Sequence, residues 1–271
     1  MGLTVEKYFE YWEFEYDEIA SEEVHDALWK GINMLDYYDV EAELIFKALI
    51  KKYPLFIDAY NHLSLSFKNQ NKSFESFLTA EKAYKIGKDA FPKAFNPKKD
   101  KLFWSSLKNR PFLRACQILG FEYQDRNDFL KAIEIYDEIL LLNENDNQGI
   151  RYLKLECLFA LKDYASVEKI IKKYKDDWSI QFAYAKVNID IINGDIQKAK
   201  LNLKNALRIN LHLPNEIVKT RHKKPEPYRI LGEPFFDAGN PLGSIQEAYE
   251  YWSRNKSIYK RKDIIEFYKS I

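Results

Sequence analysis

Few residues in this chain have the types and spacing that chemistry requires. The four histidines, His25, His62, His212 and His222, stand far apart, with no HExxH, no paired Cys/His spacing and no Asp-rich loop, so no metal site is expected. Cys116 and Cys157 fall in separate amphipathic patterns and form no CxxC, which reads as two buried thiols in a reducing compartment. Gly239 and Gly243 lack the following Lys-Ser/Thr of a phosphate loop, and no GxSxG or triad order can be picked out. One polar run is Asn143-Glu144-Asn145-Asp146-Asn147-Gln148, between two apolar stretches. Its amides and carboxylates could hold a ligand. They could equally stop one helix and start the next, with Asn145 or Asp146 as N-cap.

Two basic stretches offer another chemistry. Residues 88–110 interleave Phe91, Phe95, Phe103 and Trp104 with five lysines and one arginine after Lys88. Lys219, Arg221, His222, Lys223 and Lys224 cluster in a proline-containing segment. Aromatics among cations can grip single-stranded nucleic acid, whereas a loop and short helix packing its rings onto the rest of the chain needs no ligand.

These residues must be positioned by helices. The 271 residues include only nine glycines and nine prolines, few for strands joined by tight turns, while Tyr and Phe together number 37. The formal net charge of +1 gives no whole-protein field toward nucleic acid or membrane. Charge is unevenly placed, however. Residues 1–46 hold thirteen Asp or Glu against Lys7 and Lys30, and residues 197–271 hold fifteen Lys or Arg against eight Asp or Glu. No basic, apolar leader opens the chain and no run of eighteen apolar residues occurs, so a cytoplasmic protein with no membrane span is expected. The Lys-, Asn-, Ile- and Tyr-rich usage points to an AT-rich bacterial genome.

A small residue recurs four places before a bulky one in Ala42 and Phe46, Ala132 and Tyr136, Ser166 and Ile170, and Ala199 and Leu203, and the second unit has Ser76 followed by Ala80 and Ala83. The small positions are separated by 34, 56, 34 and 33 residues, so one interval holds a repeat plus a 22-residue insertion near 88–110. A second amphipathic stretch precedes each small residue, across the short polar breaks DYYD, NQNK, DRND, LKD and NGD. Asp128, Asp163 and Asp195 are plausible N-caps there. A helix hairpin of about 34 residues, stacked five times, follows from this spacing.

The arrangement resembles the tetratricopeptide repeat family. The third unit carries the likeness best, with Leu119, Gly120 and Tyr123 followed by Ala132 and Tyr136. Lys154 and Val187 replace the glycine in the fourth and fifth units. The resemblance covers residues 23–213 and implies an all-α solenoid of about five hairpins. Residues 1–22 are expected as an aromatic, acidic capping helix, 214–242 as an extended basic segment, and 243–271 as C-terminal capping helices begun by a Ser244/Glu247 capping box.

The family's groove contacts, carried over by phase, fall on Asp58, Asn61 and Lys68, then Arg114, Gln117 and Phe121. They continue with Gln148, Arg151 and Leu155, then Gln181, Tyr184 and Asn188. Such amides and arginines can hold an extended peptide, the amides bonding its backbone and arginine a carboxylate. The set that grips a peptide carboxylate in this family is incomplete here, with Asn61, Arg114 and Arg151 nearest. The resemblance therefore implies a non-catalytic adaptor for a protein or peptide partner, without cofactor. A nucleic-acid-associated protein using 91–110 and 219–229, or a purely structural subunit, are the alternatives.

Overall fold

The computed structural model describes residues 2–16, 21–228 and 239–271. It divides into two compact units, Met1–Arg151 and Tyr152–Ile271.

Unit 1 holds three helix hairpins: α1 Glu22–Ile32 with α2 Asp39–Lys52, α3 Ile57–Asn69 with α4 Ser73–Asp89, and α5 Arg110–Asp125 with α6 Phe129–Leu142. Helix α7, Ile150–Leu161, begins at its end and runs into unit 2. Unit 2 continues with α8 Tyr164–Lys173, α9 Ile180–Ile192, α10 Ile196–Ile209, the short α11 Leu213–Val218, α12 Ile245–Arg254, a 3-10 turn at Ile258–Lys260 and α13 Lys262–Lys269.

Four of the five small residues of the repeat are wedged between helices: Ala42, Ser76, Ala132 and Ala199 have no exposed surface, while Ser166 is partly exposed. Close approach is tightest where glycine meets an aromatic ring. A Cβ on Gly31 would stand 2.6 Å from Phe46 Cε1, and one on Gly120 would overlap the Tyr136 ring. Gly31 is thus the first unit's glycine, a role its sequence did not reveal. Ser64 occupies the equivalent place in the second unit and bonds Ser76 through its hydroxyl, 2.9 Å to the carbonyl.

Four of the five polar breaks share one mechanism. Asn71, Asn127, Lys162 and Gly194 have φ of 60, 59, 61 and 79°. The next amide bonds the carbonyl five residues back, as in Lys72 to Phe67, Asp128 to Tyr123, Asp163 to Leu158 and Asp195 to Asp190. This is a Schellman ending whose last residue is also the next N-cap. Asp128, Asp163 and Asp195 accept from Lys131, Ser166 and Lys198 amides at 3.4, 3.1 and 3.0 Å. Lysine is the odd member, since its Cβ is strained in left-handed backbone. Lys162→Gly should raise stability by about 0.5–1 kcal/mol, the relief of that strain less glycine's chain entropy. Urea unfolding checks it, and an unchanged or lower midpoint would refute it.

Two expectations about the ends are corrected. Among the described residues, 2–16 do not form the expected capping helix. Leu3–Tyr8 (β1) and Tyr11–Tyr16 (β2) pair antiparallel, Tyr8 opposite Tyr11 across a Phe9–Glu10 turn. Aromatics at 8, 9, 11 and 12 mimic helical spacing, but Trp12 and Phe14 are buried at a period of two, and Phe9 takes φ 52° without the usual Asn-Gly signal. The hairpin does not cap α1; Phe14 packs on Phe91 and Phe112, with ring centroids 5.5 and 5.2 Å away. The segment expected to be extended from 214 begins instead inside α11, where Pro214 takes the first turn, a place in which its missing N–H costs nothing. Residues 17–20 and 229–238 lie outside the described residues.

The insertion supplies the hairpin's seat. Phe95 meets Trp12 edge-on at 5.2 Å, Phe103 lies 6.3 Å from Tyr11, and Arg110 sits 5.3 Å from the Trp104 ring. Turns, not the expected short helix, connect these residues. Asn109, fully buried, accepts from Phe14 N at 3.1 Å and donates to the carbonyls of Trp12 at 3.0 Å and Phe103 at 3.3 Å. A side-chain amide thereby serves as a neighbouring strand for β2.

One buried carboxylate gives unit 1 an acid sensitivity. Burial opposes charge on Glu43, but hydrogen bonds from Lys47, Lys72 and Gln70 at 2.5, 2.8 and 2.9 Å outweigh it and hold the pKa down to about 2. The folded value lies below the ordinary 4.5, so this contribution is complete above about pH 4.5 and is lost as pH falls toward 2. Glu43→Gln should flatten that part of the stability–pH curve. Urea titrations at several pH values across this window read it, and an unaltered acid slope would refute it.

Candidate functional site

The polar corner at 143–148 is a joint. Asp146 is buried, has φ 48°, and its carboxylate accepts from Ile150 N at 2.6 Å, Arg151 N at 3.1 Å and the Arg151 guanidinium at 2.8 Å. Asp146, not Asn145, is the residue that starts α7. Gln148 lies in the turn before that helix, not on it, because Gly149 with φ 68° delays the first helical turn to Ile150.

In unit 1 the leading helices α3 and α5 bring most of the expected groove residues together. Arg114 grips Asp58 through Nε at 3.1 Å and through Nη2. Asn61 donates to the same carboxylate at 3.0 Å and to the Pro111 carbonyl at 2.8 Å. Gln148 donates to Gln117 Oε1 at 2.9 Å and to the Leu113 carbonyl at 3.0 Å. Arg114, Gln117, Gln148 and Arg151 are each partly exposed. Asn61 is not: it has no accessible surface, a correction to its expected place in an open groove, because the approach of α5 consumes its amide nitrogen.

Three buried polar atoms around this ion pair lack a partner: Tyr16 Oη, Asn61 Oδ1 and His62 Nδ1. Burial pushes the Tyr16 hydroxyl well up, and the Asp58 carboxylate adds to it while Arg114 opposes. Burial pushes His62 down, with Asp58 opposing, so its imidazole is neutral at pH 7. The corner can therefore present neutral hydrogen-bonding groups beside a fixed ion pair. Lys68 is held apart from it by Asp125 at 2.6 Å.

In unit 2 Gln181 is partly exposed, but the expected groove residues Tyr184 and Asn188 are covered by the chain itself. Tyr184 and Asn188 have no exposed surface. The Tyr184 hydroxyl donates to the Asn210 carbonyl at 2.5 Å. Asn188 donates to the Tyr259 hydroxyl and accepts from that of Tyr268, both at 3.1 Å. Their placement on an open surface is corrected: the last hairpin has no successor to bury its apolar stripe, and the C-terminal aromatics do so. Ser244 caps α12 as expected, accepting from Glu247 N at 3.1 Å, while Glu247 reaches the Gly243 amide at 2.7 Å.

Sequence reading missed a set of buried acids. Glu122, Glu156 and Asp190 stand 34 residues apart in successive leading helices, at 3, 7 and 2% exposure. Each is neutralised locally: Glu122 by Arg126 and Ser76, Glu156 by Arg254, Asp190 by Lys198 and Asn202. The repeat interval itself was the signal that could have found them.

Both thiols are buried. Burial pushes Cys116 well up and Cys157 to about 12, so neither is a thiolate at neutral pH. Among the described residues no group of three or more His, Cys, Asp or Glu could hold a metal ion, and no helix is long and apolar enough to cross a membrane.

Stacked two-helix units with a small residue at each crossing define a helix-hairpin repeat protein. The fold is that of tetratricopeptide repeat proteins. The chain is similar to a tetratricopeptide repeat protein from Parabacteroides merdae, with a TM-score of 0.53, 14% identity and coverage of 73% of this chain and 70% of that one. It is also similar to YrrB, a TPR protein with an unusual peptide-binding site (TM-score 0.46, 14% identity, 67% and 84% covered). A third likeness is to the structure of Naa15/Naa10 bound to HypK-THB (TM-score 0.43, 18% identity, 71% and 27% covered). No family model and no curated protein matches the sequence.

Proposed function

We propose that the protein is a non-catalytic interaction module of the cytoplasm that binds a segment of another protein on the face formed by α3, α5 and the turn before α7. The observation that carries this reading is the row of Arg114, Gln117, Gln148 and Arg151, partly exposed and each fixed by an internal partner. Side chains already held in place lose little freedom when a ligand arrives, and amides with arginines suit an extended backbone bearing a carboxylate. Two buried thiols with raised pKa fit a reducing compartment. The insertion's rings Phe91, Phe95 and Trp104 are engaged within the chain, which leaves little for stacking on bases.

The test places a photoreactive residue at Gln117 or Gln148, with Leu130, exposed on α6, as control. Irradiation in native cell extract should give the same crosslinked protein from 117 and 148, and not from 130. Arg114→Ala with Arg151→Ala, checked for an intact melt, should abolish it. Equal labelling from all three sites would overturn the reading.

A further inference from the structure

We propose that unit 2 carries a second ligand site, a cleft on α9 and α10 that takes an acidic peptide segment with an apolar side chain. The inference deepens the protein-binding reading above and rests on it, yet uses neither α3 nor α5. The cleft has a volume of about 330 Å³ and is bounded by the loop between α8 and α9. That is enough for a few side chains. Ala183, Ala206 and Ile209 give it an aliphatic lining.

Trp178 stands over it with 79% of its surface exposed. Its loop is fixed on both sides. Asp177 accepts from the Ser179 amide at 2.9 Å and hydroxyl at 2.5 Å, Ser179 accepts from Phe182 N at 3.3 Å, and Lys186 donates to the Lys175 carbonyl at 3.0 Å. A rigid loop that holds a large apolar ring in water presents a surface for something to cover.

The charge around it selects the ligand. Residues 164–209 hold nine Lys or Arg against five Asp or Glu. The charged groups of Lys175 and Arg208, both residues lining the cleft, have no ion-pair or hydrogen-bond partner among the described residues. Arg208 can take a carboxylate in two-pronged fashion, and Asn205 can bond a peptide unit. Asp176 and Asp177 on the same rim oppose an unbroken phosphate backbone. Spaced carboxylates flanking an apolar side chain meet the cations and the aliphatic lining together.

The probes are acetylated hexapeptides alternating Glu or Asp with Leu or Phe, a matched set with Lys for each acid, and a uridine oligonucleotide. Binding to the full chain is read by fluorescence anisotropy. The acidic set should bind and weaken with salt, and the Lys set should not. Trp178→Ala and Arg208→Glu, both at exposed positions, should each lower affinity about tenfold or more while the melt is unchanged. Leu201→Ala, exposed elsewhere on α10, and Gln117→Ala should leave it intact. The site is overturned if the acidic set fails to bind, if binding survives both cleft variants, or if the oligonucleotide binds as tightly and competes. Loss through Gln117→Ala alone would also overturn it and move the ligand to the α5 face. Crosslinking from position 117 is scored independently, so failure of either site is read without the other.

Discussion

Gly120→Ala should destabilise unit 1 by about 3 kcal/mol and lower its melting midpoint by roughly 6–12 °C. The added methyl would overlap the ring of Tyr136, which cannot retreat. Tyr136 is completely buried and its hydroxyl donates to Gln124 Oε1 at 2.8 Å, so moving the ring forfeits packing and a hydrogen bond together. The helices α5 and α6 must separate instead. Gly87→Ala meets Phe112 in the same way, and Phe14 and Phe91 pack against that ring. Pairing Gly120→Ala with Tyr136→Leu should recover part of the loss, since the smaller side chain yields the space while leaving its own void. Thermal melts of the two single variants and the pair decide it. A single variant melting within a degree of the parent would mean that the glycine is not what brings the helices together.

Asn109→Leu should release the N-terminal hairpin. Leucine has similar volume but leaves the Phe14 amide and the Trp12 carbonyl unpaired in a buried site, while the Phe103 carbonyl keeps its bond from the Ser106 amide. An orphaned buried backbone group costs about 1–3 kcal/mol, and water reaching the opened edge will offset part of that, so about 3 kcal/mol is expected for the two. The loss falls first on the hairpin, because a two-stranded ribbon is marginal by itself and depends on its docking. Hydrogen exchange of the β1 and β2 amides should accelerate about 100-fold while α3 and α5 keep their protection. Unchanged exchange in Leu3–Tyr16 would show that Phe14 and its aromatic neighbours hold the strands without Asn109.

The repeat was legible because each hairpin solves the same packing problem with the same local means. Ala132 followed by Tyr136, and the acid N-caps at 128, 163 and 195, act within about a turn of themselves, and their spacing survives in one dimension. The third unit, with Gly120, could be read directly. Gly31 could not, since the longer turn at residues 33–38 shifts it out of phase with Ala42. The candidate site was half legible. Phase placed Arg114 and Gln117 correctly on α5, but phase is blind to what else the chain lays on that face. Asn61, Tyr184 and Asn188 have the right position in their helices and the wrong neighbours for open contacts.

By itself, then, the order of residues determined the helices, their pairing into hairpins and the corners between them, all set by contacts between residues close in sequence. Tertiary structure alone decided which polar side chains remain available. Asn109 meets β2 across 95 residues, and Asn188 meets Tyr268 across 80. Such meetings depend on where the chain returns in space, and no periodicity encodes that. The same return gave Tyr8 to Tyr16 their strands: an aromatic run with two readable periods takes the one whose buried face finds a surface, here Phe91 and Phe112.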